Sequence, residues 1–254
     1  MEFISSIHTD IGIRKKVNQD AAVVKHVKSD KGDILFAMVC DGMGGLEQGE
    51  IASSSIICRL TDWFENKFPM ILYNDFSYTK LKDNLREEIN NLNIIIKNHG
   101  NRMHIQLGTT LTMLLIVDDH YYLCNIGDSR IYYLKDDIVQ LTHDQSYVQN
   151  EVDMGRMSEE EAANSPKKNI LLQCIGVGEV VPDFYVGRYE EKSAFLLCSD
   201  GFRHVLSNEE IFNALKPNEL TDQQDIRQRL KNLTETVTQR KEEDNITSIL
   251  VYAM

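Results

Sequence analysis

The sequence predicts an α+β fold, in which antiparallel strands joined mainly by hairpins pack against helices that are grouped in blocks. Three observations favour this class over a doubly wound parallel sheet. The strand-like segments are short and several lie only a few residues apart, two long helical segments form one block in the first half of the chain, and the other helical segments follow residue 157. A parallel sheet would instead require helices that alternate with single strands.

Eight segments have the β-branched and apolar composition of strands. Short polar connections between several of them predict hairpins. The segments are 21–27, 34–40, 110–117, 121–126, 131–134, 184–189, 194–198 and 246–252.

Helices are predicted at 50–67 and 78–98, and apolar residues recur every three or four positions from Leu81 to Ile96. A helix with such an apolar face packs against a sheet. Ser207 is the expected N-cap of the second of three later helices. These later helices are predicted at 158–164, 208–215 and 222–237.

One domain, residues 1–254, is expected, because no linker or internal repeat divides the chain. The polar segment 144–178 is expected to be an exposed flap that faces the substrate. We also expect a monomer.

The net charge of −12 and the lack of a lysine- or arginine-rich tract argue against nucleic acid as a partner. No apolar run reaches the roughly 18 to 20 residues of a membrane span, and the first residues lack the features of a signal peptide. Five cysteines without CxxC spacing are expected to be buried thiols in a reducing compartment. We therefore expect a cytoplasmic protein that does not insert into membranes.

Four aspartates stand at the ends of predicted strands. Asp41 and Asp200 each end an apolar strand and precede a glycine, Asp128 follows a third strand, and Asp244 precedes the last one. A single Asp-Gly pair commonly makes only a turn. Four such positions together predict that the carboxylates converge on one site.

The residue types favour a hard divalent cation. Mg²⁺ and Mn²⁺ prefer carboxylate and carbonyl oxygens, and Mg²⁺ usually keeps several waters. The seven histidines show no HExxH spacing and no cysteine cluster, which argues against zinc, and neither GxxxxGK[ST] nor GxSxG occurs.

Seven short motifs stand together in one order along residues 11–251. No single motif is specific, but the combination resembles the PPM, or PP2C-type, family of metal-dependent serine/threonine protein phosphatases in its compact bacterial form. The motifs are GIRKKVNQD at 12–20, DGMGG at 41–45, LGTT at 107–110, GDSR at 127–130, LTHD at 141–144, CSDG at 198–201 and DN at 244–245.

The resemblance implies a four-layer α-β-β-α sandwich and two Mn²⁺ or Mg²⁺ ions that activate a water against a phosphomonoester. Asp41 would bridge both ions, the Gly42 carbonyl would bind one, and Asp200 and Asp244 would complete the other. Asp20 would order metal-bound water. The implied substrates are phosphoserine and phosphothreonine proteins, and the implied partner is a serine/threonine kinase whose action the enzyme reverses.

Two positions depart from the family pattern at the phosphate and the third ion. The family places an arginine four residues before the glutamate of its Asn-Glu-Asp run, where this chain has Lys15. We predict that Arg14 binds the phosphate. Two alternatives stay open: Lys15 binds it instead, or either side chain is simply a solvated cation at a strand end. Asp128 would bind a weaker third ion, but His204 replaces a carboxylate there, so a weak or altered third site is expected.

Two further departures affect the second ion and the proton donor. Gln19 replaces a glutamate, which should weaken the second ion. Met43 replaces a histidine that some members use to protonate the leaving group, and His143 is equally well a packing residue, so the general acid is unassigned.

Two other functions compete with an active phosphatase. One is an inactive relative that binds phosphoproteins or a kinase, and the other is a structural cation-binding module. Retention of Asp41, Asp200 and Asp244 argues for the enzyme, because clustered acidic groups without a counter-charge are unfavourable.

Overall fold

Residues 2–43, 48–74 and 76–254, which this computed structural model describes, contain two five-stranded antiparallel sheets. The first sheet has the order β1-β10-β9-β6-β7 and the second the order β2-β3-β4-β5-β8. The strands are β1 (Phe3–Asp10), β2 (Ala21–Ser29), β3 (Gly32–Cys40), β4 (Leu111–Val117), β5 (His120–Ile126), β6 (Arg130–Leu134), β7 (Ile138–Gln140), β8 (Asp183–Arg188), β9 (Ser193–Cys198) and β10 (Ile246–Ala253).

Helices cover the outer faces of both sheets. Those of the first block pack on the second sheet, where Trp63 and Phe36 lie in one apolar cluster. Those near the carboxyl end pack on the first sheet, where Leu230 and Leu250 share another. The helices are α1 (Gly49–Asn66), α2 (Phe68–Tyr73), α3 (Tyr78–Met103), α4 (Tyr147–Asp153), α5 (Glu159–Ala163), α6 (Asp200–Arg203), α7 (Asn208–Ala214) and α8 (Gln223–Gln239).

A third apolar cluster lies between the two sheets. In β3, Leu35 and Val39 belong to this cluster, whereas Phe36 and Met38 face the helices. Strand side chains alternate between faces, so β3 is buried on both sides and has a continuous apolar sequence. The predicted four-layer α-β-β-α sandwich is confirmed.

The eight predicted strands correspond to β2–β6 and β8–β10, whereas β1, β7 and the helices α2, α4 and α6 were not predicted. β1 has mixed polarity and is held at a sheet edge by pairing with β10, from Phe3 opposite Ala253 to Asp10 opposite Ile246. Such a long-range pairing leaves no local periodicity. The expectation of buried thiols is wrong for Cys58, which is exposed on α1.

The segment 144–178 forms an excursion that contains α4 and α5. Its two ends are tied together where Tyr147 N donates to Ile170 O and Leu172 N donates to Gln145 O, both at 2.8 Å. Its action as a flap, like the single-domain organisation, stays a prediction. Within the described ranges, each helix is too short or too polar to cross a membrane.

Candidate metal centre

Asp20 and Asp41 lie at the same end of one hairpin. Asp20 immediately precedes β2 and Asp41 immediately follows β3, and Ala21 is opposite Cys40 in the antiparallel register. The two aspartates are therefore the next residues beyond a matched pair. Asp41 N donates to Thr110 Oγ1 and Asp41 O accepts from Thr110 N, both at 2.9 Å, which ties this end to the start of β4.

Asp200 and Asp244 occupy the corresponding end of a strand pair in the other sheet. Asp200 lies two residues after Cys198, the last residue of β9, and Asp244 lies two residues before β10, its antiparallel neighbour. Ser199 Oγ donates to Asp20 Oδ2 at 2.9 Å. This bond joins the two sheet ends, so carboxylates from both sheets meet on one side of the sandwich.

Asp128 follows β5 and reaches the same region through a glycine turn. Gly127 has a φ of +105°, and a Cβ at this position would lie 2.6 Å from Thr110 Cγ2. Any larger residue would be strained and would collide with the residue that anchors Asp41. Asp128 itself is only 4% exposed.

Gly42 allows three backbone segments to approach one another closely. A Cβ there would lie 2.5 Å from the carbonyl oxygens of both Gln19 and Gly49. The carbonyl that is predicted to bind a metal ion therefore belongs to a position that only glycine can occupy. Gly44 and Gly45, which complete the predicted turn, lie outside the described residues.

The electrostatics of this region are those of crowded, poorly solvated carboxylates. Burial, aided by the charges of Asp200 and Asp244, raises the pKa of Asp20 to about 7. Burial and the charge of Asp200 raise the pKa of Asp128 to about 7 as well. Burial and the four surrounding aspartates raise the pKa of Asp41 well above its usual range. The protein thus holds together negative charges that repel one another.

Two carboxylate oxygens in this group, Asp20 Oδ1 and Asp200 Oδ1, are buried and have no hydrogen-bond partner among the described residues. Such orphaned acceptors are costly and call for a ligand. In the part of the chain that the structure describes, however, no three His, Cys, Asp or Glu side chains are already arranged as a metal site. The aspartates that line a shared cavity of about 980 Å³ are Asp41, Asp128, Asp200 and Asp244.

Arg14 and Lys15 both line this cavity, but they have different partners. Arg14 forms a salt bridge with Glu243 at the rim, and its side chain is 70% exposed. Lys15 Nζ lies 2.8 Å from Asp244 Oδ1. Lys15 therefore contacts a predicted metal ligand directly, whereas Arg14 does not.

His204 and Arg203 bring nitrogen donors close to the carboxylates. His204 lies between Asp200 and Glu242, with its ring nitrogens 3.5 Å from an oxygen of each. Arg203 Nη2 donates to the carbonyl of Asp128 at 3.0 Å and lies 3.9 Å from its Oδ2. A cation beside Asp128 would meet this guanidinium.

Asn245 is a positioning residue that the sequence reasoning treated only as part of a motif. Its Oδ1 accepts from Gln19 N at 2.9 Å, and its Nδ2 donates to Ile11 O at 2.9 Å and to Val17 O at 3.3 Å. Asn245 thus holds the loop before β2, which carries Asp20, against the start of β10. The sequence feature that could have identified Asn245 is its place directly after Asp244, a candidate metal ligand.

The chain is similar to known proteins over nearly its whole length. The family model described as "Protein phosphatase 2C" matches residues 12–251. The chain belongs to the protein phosphatase 2C family. The predicted family and enzyme class, a PP2C-type serine/threonine protein phosphatase, are thereby confirmed.

Bacterial relatives match over almost their full length. The chain is 30% identical over 242 residues to the serine/threonine phosphatase stp of Listeria innocua, which covers 91% of this chain and 92% of that protein. It is 32% identical over 251 residues to a putative PP2C-type phosphatase of Streptococcus pyogenes, with coverages of 94% and 98%. In structure it is similar to the S. agalactiae serine/threonine phosphatase, with a TM-score of 0.84, 33% identity and full coverage of both chains.

Proposed function

We propose that this phosphatase hydrolyses phosphoserine and phosphothreonine in proteins at a centre of two Mn²⁺ or Mg²⁺ ions. Asp41, the Gly42 carbonyl, Asp200 and Asp244 would hold the ions, and Asp20 would lie beside them. The observation that carries this proposal is that aspartates from both sheets meet around one cavity. In addition, one buried carboxylate oxygen of Asp20 and one of Asp200 accept no hydrogen bond from a described residue.

The residues present fit divalent cations. All the proposed donors are oxygens, as Mg²⁺ and Mn²⁺ prefer, and waters would complete coordination shells that the side chains alone leave incomplete. A nearby positive charge would also relieve the repulsion that raises the pKa of Asp20 and Asp41. The similar PstP domain, with 27% identity and a TM-score of 0.78, was crystallised in complex with two manganese ions.

The chemistry that the ions supply when bound is a lowered pKa of water and stabilisation of charge on the phosphoryl oxygens. The protein's own residues orient the participants. Ser199 fixes one oxygen of Asp20, which leaves Oδ1 as the acceptor that can order a water. Lys15 and Arg14 supply positive charge at the cavity for the phosphate.

A third ion is expected to bind weakly. Asp128 is the predicted ligand, but the Arg203 guanidinium is next to its carboxylate and His204 replaces the family carboxylate. Both features disfavour another cation at this position. We therefore propose that the active enzyme binds two metal ions.

The test is hydrolysis of p-nitrophenyl phosphate and of a phosphothreonine peptide with Mn²⁺, Mg²⁺ or EDTA. Wild-type protein should require added metal, and Asp200→Asn should lose nearly all activity. Asp136→Asn, an exposed aspartate outside the cavity, is the matched control. Activity that survives EDTA, or none in the wild type, would refute the proposal, and the second outcome would favour an inactive phosphoprotein-binding relative.

A serine/threonine kinase as partner, a monomeric state and a cytoplasmic location stay predictions. The kinase follows from the proposed chemistry, since a phosphatase of this class needs an enzyme that forms its phosphoester substrates.

A further inference from the structure

Three lysines at the cavity have no partner in the part of the chain that the structure describes. Lys16 lies in the loop between β1 and β2, Lys168 lies in the excursion 144–178, and Lys241 follows α8. None of the three side chains forms a salt bridge or hydrogen bond with another described residue. Three separate segments thus bring to one cavity ammonium groups that form no salt bridge with a described residue.

Three carboxylates of the cavity lining already have a basic partner. Glu243 pairs with Arg14, Asp244 pairs with Lys15, and Glu242 faces His204. These three carboxylates therefore do not depend on Lys16, Lys168 or Lys241 for a partner. Acidic and basic side chains both line this cavity, and the three lysines are the cations there that no described side chain engages.

The cavity is also larger than one phosphoresidue requires. Its volume of about 980 Å³ lies at the upper end of the range for sites that enclose a whole small molecule. The residues that flank a phosphoresidue can therefore enter with it. Asn169 and Leu171 of the excursion line the same cavity and would contact that flanking chain.

We infer that Lys16, Lys168 and Lys241 form a subsite for a second anionic group on the substrate, either an acidic side chain or another phosphate close to the scissile one. This inference rests on the proposed phosphatase function and adds a substrate class to it. An ammonium is a point charge that binds carboxylate and phosphate alike. The favoured substrates are acidic or multiply phosphorylated segments.

The test uses four phosphothreonine peptides of equal length. Their flanking positions carry neutral residues, aspartates, a second phosphoserine or lysines. KM should fall in the order lysine, neutral, aspartate, second phosphate, with kcat nearly constant, because the subsite binds the flank and not the reacting group. The preference should weaken as salt is added.

A triple variant, Lys16→Gln, Lys168→Gln and Lys241→Gln, removes the charges and keeps much of the side-chain length. Exposed ion pairs predict an increase in KM of about two- to fivefold per lysine for the acidic peptide. This loss should exceed any change in kcat/KM for p-nitrophenyl phosphate, which has no flanking residues. The matched control replaces Lys31, Lys97 and Lys192, which are exposed outside the cavity, and should keep the wild-type preference.

Equal KM values for all four peptides in the wild type, or an unchanged preference in the triple variant, would overturn the inference. The separate arms for aspartate and phosphate show which anion the subsite selects. If the wild type fails to hydrolyse p-nitrophenyl phosphate, the proposed function fails instead. Binding of the same peptides to Asp200→Asn protein, measured by fluorescence anisotropy, then still decides whether the lysines select anionic flanks.

Discussion

Replacing Asp20 by asparagine is expected to stabilise the metal-free protein while it impairs catalysis. Asp20 Oδ1 is buried with no partner among the described residues, and the neighbouring Asp200 and Asp244 help burial to raise its pKa from 3.8 to about 7. Without metal, folding therefore buries the negative charge of Asp20 beside two other carboxylates. The neutral amide of an asparagine side chain keeps the shape and removes the charge.

The size of the effect follows from the pKa. A shift of one pKa unit between the unfolded and folded states changes the free energy of unfolding by about 1.4 kcal/mol. The rise from 3.8 to about 7 therefore means that ionised Asp20 lowers the free energy of unfolding by about 4 kcal/mol above pH 7. An amide N–H left without an acceptor would offset about 1 to 3 kcal/mol of this. The net gain of about 1 to 3 kcal/mol should raise Tm by about 3 to 10 °C for a chain of this size.

The pH dependence has a defined sign. The folded protein binds the Asp20 proton more tightly than the unfolded chain does, so this group lowers the stability of the wild type as pH rises from about 4 to about 7. The advantage of Asp20→Asn should be largest near pH 8 and should vanish towards pH 4.

Thermal melts in EDTA at several pH values measure this advantage, with Asp136→Asn as the control. Saturating Mn²⁺ should stabilise the wild type more than Asp20→Asn, because the ions relieve a repulsion that the variant lacks. Activity should fall about 10- to 100-fold, as expected for a residue that supports metal ligands. A metal-free Asp20→Asn protein that melts at or below the wild-type temperature near pH 8 would refute the reasoning.

Three other predictions test the neighbouring residues. His204→Asp should add a weak third Mn²⁺ equivalent in isothermal titration calorimetry, because a carboxylate then joins Asp128, and an unchanged stoichiometry would contradict the role given to His204. Lys15→Gln should tighten Mn²⁺ binding, since Lys15 Nζ competes for Asp244 at 2.8 Å, and it should raise KM if Lys15 rather than Arg14 grips the phosphate. Asn245→Ala should lower the free energy of unfolding by about 2 to 4 kcal/mol, because three backbone groups lose a buried partner; chemical denaturation that shows less than about 1 kcal/mol would count against this.

Local patterns in the sequence were sufficient for most elements of the fold. The buried strand β3 and the amphipathic helix α3 have strong periodicities, and these depend only on neighbouring residues. The strand-end positions of Asp41 and Asp200 could also be read directly, because each follows an apolar run.

The arrangement of the site depended on pairings between distant segments. The register between β2 and β3 places Asp20 beside Asp41, and the bond from Ser199 joins this end to the other sheet. No local pattern encodes these contacts, because they form between residues as much as 179 positions apart.

The fold class, the enzyme family and the aspartates that could bind metal all follow from the linear chain, because apolar periodicity and motif order are properties of the chain alone. The folded arrangement was needed to show that Lys15 faces Asp244 while Arg14 faces Glu243. It was also needed to show that lysines from three segments, without a partner among the described residues, share one cavity. Charges act through space, so their partners are set by strand register and loop packing, and not by their separation along the chain.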